Sequence, residues 1–397
     1  MKSVGQILLL LILGTSTLLS QEEDFKKIDR HALKAPKTLH SDIQALSLYL
    51  VKPASNDLEK ARSIYTWITH NISYDKKAYQ DGIKRINKNN QDVLNRSTAV
   101  CFGYSTLFKE MCQIAGLRSE VISGYTKGTL TSRPELKEPH HAWNAVELDG
   151  QWYLLDATWG SSLINKTNDF VQTFKEGYFL TQPEHFITNH LPADPMWQLL
   201  DCPISTEVYQ KTTAEIILHL DQTSPCYNFQ DSIKQFFTLS EIDRILKEAQ
   251  NTYQYHPTAN NKKELGHSHF DYASKHADQA DRYQAEENFE ALIATQEIIL
   301  NHCRIASKYI DFYVWQEEFF INHLINQGVA ISKTIKEEKE LSIQIQLYEE
   351  VLKLLAEANT KLHTIPNSTF KLHAKESCDT FLEYAQHNLS LLQSEKP

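Results

Sequence analysis

Residues 141–160 read HAWNAVELDGQWYLLDATWG. Two runs rich in apolar and aromatic residues, Ala142 to Leu148 and Gln151 to Leu155, flank the dipeptide Asp149-Gly150. Asp-Gly suits the two-residue type I′ turn that joins adjacent antiparallel strands. The stretch therefore predicts a β-hairpin in which residue 148 pairs with residue 151.

The register of this hairpin brings a histidine and an aspartate together. If the pairing continues along both strands, Trp143 faces Asp156 and His141 faces Thr158. His141 and Asp156 then lie on one face as diagonal neighbours about 7 Å apart, which the two side chains can span. A hydrogen bond between them would fix the imidazole tautomer and leave the other ring nitrogen to accept a thiol proton. His140 points to the opposite face.

Cys101 is predicted to begin a buried helix, because apolar and aromatic residues recur at helical spacing from Tyr104 to Gly116. Unpaired N–H groups and the positive end of the helix dipole lower the pKa of a cysteine at a helix N-terminus. The alternative is a small buried cysteine of the core. We adopt that interpretation for Cys112, which lies about 16 Å deeper along nearly the same helix face.

Together, Cys101, His141 and Asp156 predict thiol acyl-transfer chemistry. The expected oxyanion donor is the backbone N–H of Cys101. Tyr74 is a further candidate for that role.

These residues lie in motifs that resemble the transglutaminase-like superfamily, and most of all its branch of kyphoscoliosis-type peptidases. The similarity covers about residues 40–205, and its motifs are specific in combination. They are IYTWI (64–68), NISYD (71–75), CFGY (101–104), HAWN (141–144), WYLLDATWG (152–160), YFL (178–180), PE (183–184) and HLP (190–192).

The resemblance implies a papain-related α+β core, in which a nucleophile helix packs on an antiparallel sheet. It implies that Cys101 is the nucleophile, His141 the general base and acid, and Asp156 the orienting carboxylate. True transglutaminases place an oxyanion-stabilising tryptophan upstream of the nucleophile, where this chain has Trp67. Because the helix that carries Trp67 is apolar on one face, a core tryptophan is the favoured interpretation. Ala157 stands where the family commonly has proline, which should loosen a turn without removing a catalytic group.

Four segments are predicted along the chain. Residues 1–20 fit a signal peptide cleaved after Ser20, and residues 21–38 fit a loose, charged leader. Residues 39–205 form the catalytic domain, and residues 206–397 form an all-α helical domain.

Within residues 39–205, helices are expected over 41–51 and 56–71, with Asn56 as an N-cap, and a strand over 118–124. Residues 126–139 lack periodicity. They fit either a substrate-contacting lid or a passive surface loop.

Apolar stripes at helical spacing dominate the chain after residue 239 and predict a helical bundle or short array. The first stripe is Ile242, Ile245, Leu246 and Ala249. The second is Phe289, Leu292, Ile293, Gln296, Ile299 and Leu300, and the third is Ile343, Leu347, Val351, Leu354 and Ala358.

Composition argues for an exported globular protein. The net charge of −10, with charges of both signs scattered along the chain, argues against nucleic-acid binding. The apolar run Ile7 to Leu13 is too short for a retained membrane span, and the mature chain carries no other strong membrane segment. The expected location is secreted or periplasmic.

The six cysteines raise the question of disulfides. Cys202 and Cys226 could close a local loop, and Cys303 with Cys378 could join two helices, but sequence does not fix the pairing. Cys101 must stay free for the predicted chemistry.

Three nearby histidines, His267, His269 and His276, are the one candidate for a metal site. Zinc normally needs three or four convergent ligands, so solvated or capped histidines are favoured. The sequence predicts no cofactor and no metal.

Two classes of function remain open at this point. The first is a cysteine-dependent enzyme that acts on protein or peptide amides by hydrolysis or crosslinking, with the helical domain binding substrates or partners. The second is a non-catalytic binding protein that uses the transglutaminase-like domain as a scaffold. The complete Cys, His and Asp set favours the enzyme.

Overall fold

The structure, a computed structural model, describes residues 25–80, 89–127, 136–164 and 170–394. The chain separates into two compact units between Gln235 and Phe236. This division lies C-terminal of the boundary at residue 205 that the sequence indicated. A disulfide between Cys202 and Cys226 ties the intervening segment to the residues before it.

The first unit is α+β, as predicted. Its helices are α1 (25–32), α2 (Ile43–Val51), α3 (Asp57–Asn71), α4 (Lys76–Gln80), α5 (Asn90–Arg96), α6 (Cys101–Ile114), α7 (Ala157–Ser161), α8 (Pro183–Phe186), α9 (Thr206–Tyr209), α10 (Thr213–Gln222) and α11 (Phe229–Phe236). Short 3₁₀ turns cover Lys37–Leu39, Glu176–Tyr178 and Pro195–Gln198.

Its strands are β1 (Ser73–Tyr74), β2 (Thr98–Ala99), β3 (Ser119–Thr126), β4 (His141–Leu148), β5 (Gln151–Leu155), β6 (Ser162–Ile164), β7 (Phe170–Gln172) and β8 (His190–Pro192). The main sheet has the order β5-β4-β3-β8 and is antiparallel throughout. Helix α6 packs on β3 and β4. The predicted nucleophile helix on an antiparallel sheet is therefore confirmed.

The predicted β4–β5 hairpin is present in the predicted register, with Leu148 paired to Gln151 and Asn144 to Leu155. The extension of that register was wrong. Strand β5 ends at Leu155 and the chain turns into α7, so His141 does not face Thr158. Instead His141 pairs with Gly124 of β3.

Helix α3 begins where its cap was predicted, since the Asn56 side chain accepts a hydrogen bond from the Glu59 N–H at 2.8 Å. On the same helix, Trp67 is 2% exposed within the hydrophobic core. The ring of His40 packs edge-on against it, with centroids 5.0 Å apart. This burial supports the interpretation of Trp67 as a core residue.

The structure describes the segment predicted as a loose leader from residue 25 onward, and there it contains the packed helix α1. Ile28 and Ala32 of α1 are buried, at 2% and 0% exposure. The sequence was misleading because its charges resembled a solvated tail, whereas Asp29 pairs with the buried Arg62. The signal peptide predicted over residues 1–20 lies outside the described residues.

Arg62 is the central residue of this contact, because it pairs with two carboxylates from different segments. Its Nε and Nη2 donate to the two carboxylate oxygens of Asp29, each at 2.8 Å, and it also pairs with Glu176. The guanidinium is 3% exposed and lies 4.7–5.2 Å from the ring centroids of Phe25, Phe174 and Phe179. A buried arginine paired with two carboxylates thus joins α1 to α3 and to the segment around Glu176.

The second unit consists of helices, as predicted. They are α12 (Glu241–Tyr255), α13 (Ala259–Ala285), α14 (Phe289–Ala306), α15 (Val314–Thr334), α16 (Leu341–Leu362) and α17 (Thr369–Ser394), with a 3₁₀ turn at Ile335–Glu337. The second and third predicted stripes supply core residues such as Ile299, Leu300, Val351 and Ala358. In the first stripe Leu246 is buried but Ile245 is 48% exposed.

The cysteine pair and the histidine group that the sequence suggested in this unit do not come together as sites. Cys303 and Cys378 are free and buried rather than joined. His269 lies against His302, with the two Nδ1 atoms 3.1 Å apart, and His276 Nδ1 lies 2.8 Å from the carbonyl oxygen of Tyr272. In the described part of the chain, none of the helices combines the length and apolarity needed to cross a membrane.

The ion pairs of Arg62 lead to a stability prediction. Arg62→Met should lower the free energy of unfolding by about 2–4 kcal/mol, because it leaves the mostly buried Asp29 carboxylate beside an apolar, aromatic pocket without its charged partner. Glu176→Gln is the matched control and should cost less than about 1 kcal/mol, since Glu176 is 51% exposed. Urea unfolding followed by circular dichroism measures both. Equal losses of unfolding free energy in the two variants would contradict the stabilising role of Arg62.

Candidate active site

Helix α6 places Cys101 at its first residue. Val100 occupies the N-cap with extended backbone angles, and valine has no side-chain acceptor that could cap the first turn. Two contacts fix the helix. The Tyr104 hydroxyl donates to the carbonyl of Ile72 at 2.6 Å, and the Asn144 side chain of β4 donates to the carbonyl of Ser105 at 3.0 Å.

Strand β4 places His141 at its first residue, opposite Gly124. A Cβ atom at Gly124 would lie 2.2 Å from the carbonyl oxygen of Leu191 and 2.5 Å from the Trp143 ring. Only glycine therefore lets β3 pass between β4 and β8 at this point. The close packing holds His141, 8% exposed, against its neighbours.

Asp156 follows β5 directly and has no exposed surface. Its Oδ1 accepts hydrogen bonds from the N–H groups of Thr158 at 2.7 Å and Trp159 at 3.0 Å, which is an N-cap arrangement for α7. Its Oδ2 lies 2.7 Å from His141 Nε2. Asp156 therefore ends the strand, starts the helix and orients the imidazole with one carboxylate.

Helix α7 contains Gly160, the last residue of the motif, and Ala157, which stands where the family commonly has proline. A Cβ atom at Gly160 would lie 1.9 Å from the hydroxyl oxygen of Tyr65, so any other residue would displace the end of that buried side chain. Ala157, which we expected to loosen the turn, is the first residue of α7. The turn is held by the Asp156 side chain, and proline is favoured at a first helical position for its preset φ rather than for any contact.

Cys101 is free and partly exposed. The His141 side chain and the backbone N–H of Ala142 both act on its sulfur to lower the pKa of the thiol, which places them next to it. Because His141 Nε2 is bonded to Asp156, Nδ1 is the ring nitrogen left to interact with the sulfur. The structure thus brings together the three side chains predicted from sequence.

The charges in the site favour an ion pair between Cys101 and His141. Burial acts to raise the pKa of the Cys101 thiol, but the hydrogen bond and positive charge of His141 outweigh it and hold that pKa below its usual range. Burial acts to lower the pKa of His141, but the charge and hydrogen bond of Asp156 raise it to about 10. Because the pKa of His141 is raised and that of Cys101 is lowered, a thiolate with an imidazolium is favoured over a thiol with a neutral imidazole.

The sequence reasoning missed three residues that surround this pair. His190 Nε2 lies 3.0 Å from Asp156 Oδ2. The Trp159 ring lies over His141 and His190, with centroids 5.7 Å and 4.5 Å away, and Tyr178 packs edge-on against Trp159 at 5.6 Å. These positions were noted in sequence only as parts of motifs, because their approach depends on pairing between distant segments.

Other predicted features lie apart from the site. His140 points away from the sulfur, and its Nε2 accepts from the backbone N–H of Thr126 at 3.2 Å. Most of the loop predicted as a lid, residues 128–135, lies outside the described residues. The histidines that converge on a carboxylate are His141 and His190, not the group at 267–276.

Comparison with known proteins agrees with this geometry. Residues 44–157 match the family model of the transglutaminase-like superfamily. The chain therefore contains a transglutaminase-like domain, and the resemblance seen in its motifs is confirmed.

Among individual proteins, the chain is similar to the kyphoscoliosis peptidases of Mus musculus and Homo sapiens. Each is 39% identical over 191 residues, which covers 47% of this chain and 28% of the relative. Hillarin of Drosophila melanogaster is 29% identical over 212 residues, covering 47% of this chain and 24% of hillarin. The chain thus spans about a quarter of the length of these relatives.

The first prediction from the site concerns thiol reactivity. Iodoacetamide should alkylate Cys101 near pH 7 at least about 10-fold faster than Cys112, because burial raises the pKa of Cys112 while His141 lowers that of Cys101. Mass spectrometry of timed digests measures both rates. His141→Ala should slow the labelling of Cys101. Similar rates for both cysteines in the folded protein would rule out an activated thiol.

The second prediction concerns pH. Below the pKa of Cys101 the thiol is protonated, and above the raised pKa of His141 the imidazolium loses its proton, so activity should plateau between the two. Asp156→Asn removes the charge that raises the pKa of His141. The alkaline limb should therefore move to lower pH, and turnover should fall by about 10³-fold. A pH–rate profile with the alkaline limb unmoved would contradict this role of Asp156.

Proposed function

We propose that this protein is an exported, cysteine-dependent acyl-transfer enzyme that acts on amide bonds of proteins or peptides through a thioester. The observation that carries the proposal is the convergence of three side chains: His141 Nε2 lies 2.7 Å from the buried Asp156 carboxylate, and His141 acts on the Cys101 sulfur to lower its pKa. Both partners of the His–Asp bond are buried, His141 at 8% and Asp156 at 0% exposure, and such bonds are stronger there than in water.

The proposed reaction has two halves. The Cys101 thiolate attacks the amide carbonyl, the backbone N–H of Cys101 at the start of α6 stabilises the oxyanion, and the His141 imidazolium protonates the departing amine. The products are a thioester on Cys101 and a free amine. Water or a second amine then attacks the thioester after giving a proton to His141, and the thiolate is restored.

A macromolecular substrate is supported by the similarity to the kyphoscoliosis peptidases. The second unit offers a large helical surface that carries none of the groups proposed for catalysis, and we assign it to substrate or partner binding. The disulfide between Cys202 and Cys226 supports export, because such bonds persist in oxidising compartments. The signal peptide and a secreted or periplasmic location belong to this proposal.

The decisive variant is Cys101→Ala. It should reduce turnover by about 10⁴-fold or more and change the free energy of unfolding by less than about 1 kcal/mol, because it removes one partly exposed sulfur atom. Cys112→Ala on the same helix is the matched control and should retain turnover. The assays are cleavage of a peptide library and incorporation of a labelled amine into a glutamine-containing protein, run in parallel.

The two assays separate hydrolysis from crosslinking, and intact-mass spectrometry of the wild type should show a transient acyl adduct on Cys101. Undiminished turnover in a folded Cys101→Ala protein would refute the assignment. Absence of both activities and of any adduct in the wild type would favour a scaffold that uses the domain for binding.

A further inference from the structure

His190 is a fully buried histidine outside the predicted catalytic set. It is the first residue of β8, the strand at the edge of the main sheet. His190 and Asp156 are far apart in sequence, and the fold brings them together. Its Nε2 lies 3.0 Å from Asp156 Oδ2, the same oxygen that lies 2.7 Å from His141 Nε2. One carboxylate oxygen is thus shared by two imidazoles.

We propose that His190 is a positioning residue, a neutral hydrogen-bond donor that holds the Asp156 carboxylate in the orientation from which it fixes His141. The inference rests on the proposed function, since the orientation of His141 matters for acyl transfer. His190 does not reach the sulfur and takes no part in proton transfer. It acts on Cys101 only through Asp156 and His141.

The charge balance of the site requires that the two imidazoles differ. Two imidazolium rings on one buried carboxylate would leave an uncompensated positive charge without solvent, which is strongly unfavourable. The ionisable groups facing His190 are Asp156, His141 and Tyr178. Burial and the charge of His141 hold the pKa of His190 near 4 against the opposing effect of Asp156, while the pKa of His141 is raised. His190 is therefore the neutral ring.

A neutral His190 that donates from Nε2 must accept a hydrogen bond at Nδ1. The side-chain amide of Asn189 lies against this nitrogen, with Oδ1 placed 2.5 Å away. As placed, the amide presents an acceptor to Nδ1. Rotating the Asn189 amide by 180° exchanges Oδ1 and Nδ2 and gives Nδ1 the N–H donor that the neutral Nε2–H tautomer requires. The backbone carbonyl of Asn189 accepts from Tyr209 Oη at 2.9 Å, which anchors the residue independently of its side chain.

Aromatic rings hold His190 in place and keep its surroundings apolar. Phe186 is stacked on it at a centroid distance of 4.1 Å, and Trp159 and Trp143 pack against it at 4.5 and 5.1 Å. Tyr178 lies 6.1 Å away. A phenylalanine at position 190 would keep this packing and remove the hydrogen bond to Asp156.

The test compares His190→Phe with His190→Gln by the pH dependence of Cys101 alkylation with iodoacetamide. His190→Phe should move the midpoint of alkylation to higher pH and slow the reaction at pH 7 about 10-fold, because a less firmly held His141 stabilises the thiolate less. His190→Gln should restore most of the rate, since its amide N–H reaches about the position of Nε2. His185→Gln, an exposed histidine on α8, is the control and should match the wild type.

Asn189→Asp provides a second arm. A carboxylate opposite Nδ1 favours the imidazolium form of His190, which competes with His141 for Asp156, so the midpoint should again move to higher pH. If circular dichroism shows that His190→Phe does not fold, Asn189→Asp decides the matter, and an unchanged midpoint in that variant overturns the proposal.

The alkylation assay needs no substrate, so the two proposals fail in different ways. A wild-type midpoint at the pH of an ordinary thiol would remove the activated cysteine and with it the proposed function. A lowered wild-type midpoint that is unchanged in folded His190→Phe would leave the proposed function standing and overturn the role of His190.

Discussion

The burial of the Asp156 carboxylate is the constraint on which the rest of the first unit depends. A carboxylate without exposed surface is tolerated only when hydrogen bonds and opposite charge replace the lost water. Four groups meet this one: two backbone N–H groups of α7, His141 of β4 and His190 of β8. The hairpin, the short helix and the edge strand must therefore all converge for the site to be stable.

The same constraint distributes protons within the site. A single negative charge stabilises one imidazolium, and the geometry gives it to His141, whose second nitrogen faces Cys101. The Trp159 ring packs against both histidines, and their burial keeps the effective dielectric low and strengthens the interaction. The charge that holds the strands together is thus also the one that favours a thiolate at the surface.

The sequence could predict the features that depend on residues close to one another in the chain. The cap at Asn56, the helix from Cys101 and the register of the β4–β5 hairpin depend on contacts within a few residues or across one turn. The extension of the hairpin failed because the Asp156 side chain caps α7, which ends the strand in competition with further pairing. Local patterns alone do not show which of these two interactions prevails.

What could not be predicted depends on pairing between distant segments. His190 reaches Asp156 because β8 pairs with β3 rather than with the strand before it. Asp29 resembled a solvated charge because its partner, Arg62, lies on another helix with few cues that it is buried. In both cases a charged or polar residue has its partner in a segment that sequence spacing does not bring near.

Arg62 and Asp156, the residues whose partners could not be predicted, both contact the short segment 176–179. Glu176 pairs with Arg62, and two residues later the carbonyl of Tyr178 accepts the backbone N–H of Asp156 at 2.9 Å. The Tyr178 ring packs on Trp159, while Phe179 packs edge-on against Phe25, with centroids 6.0 Å apart. The segment is therefore held from one side by a buried arginine and from the other by a buried aspartate. Residues that precede the family match thus belong to the support of the site, because α1 holds the backbone to which Asp156 is bonded.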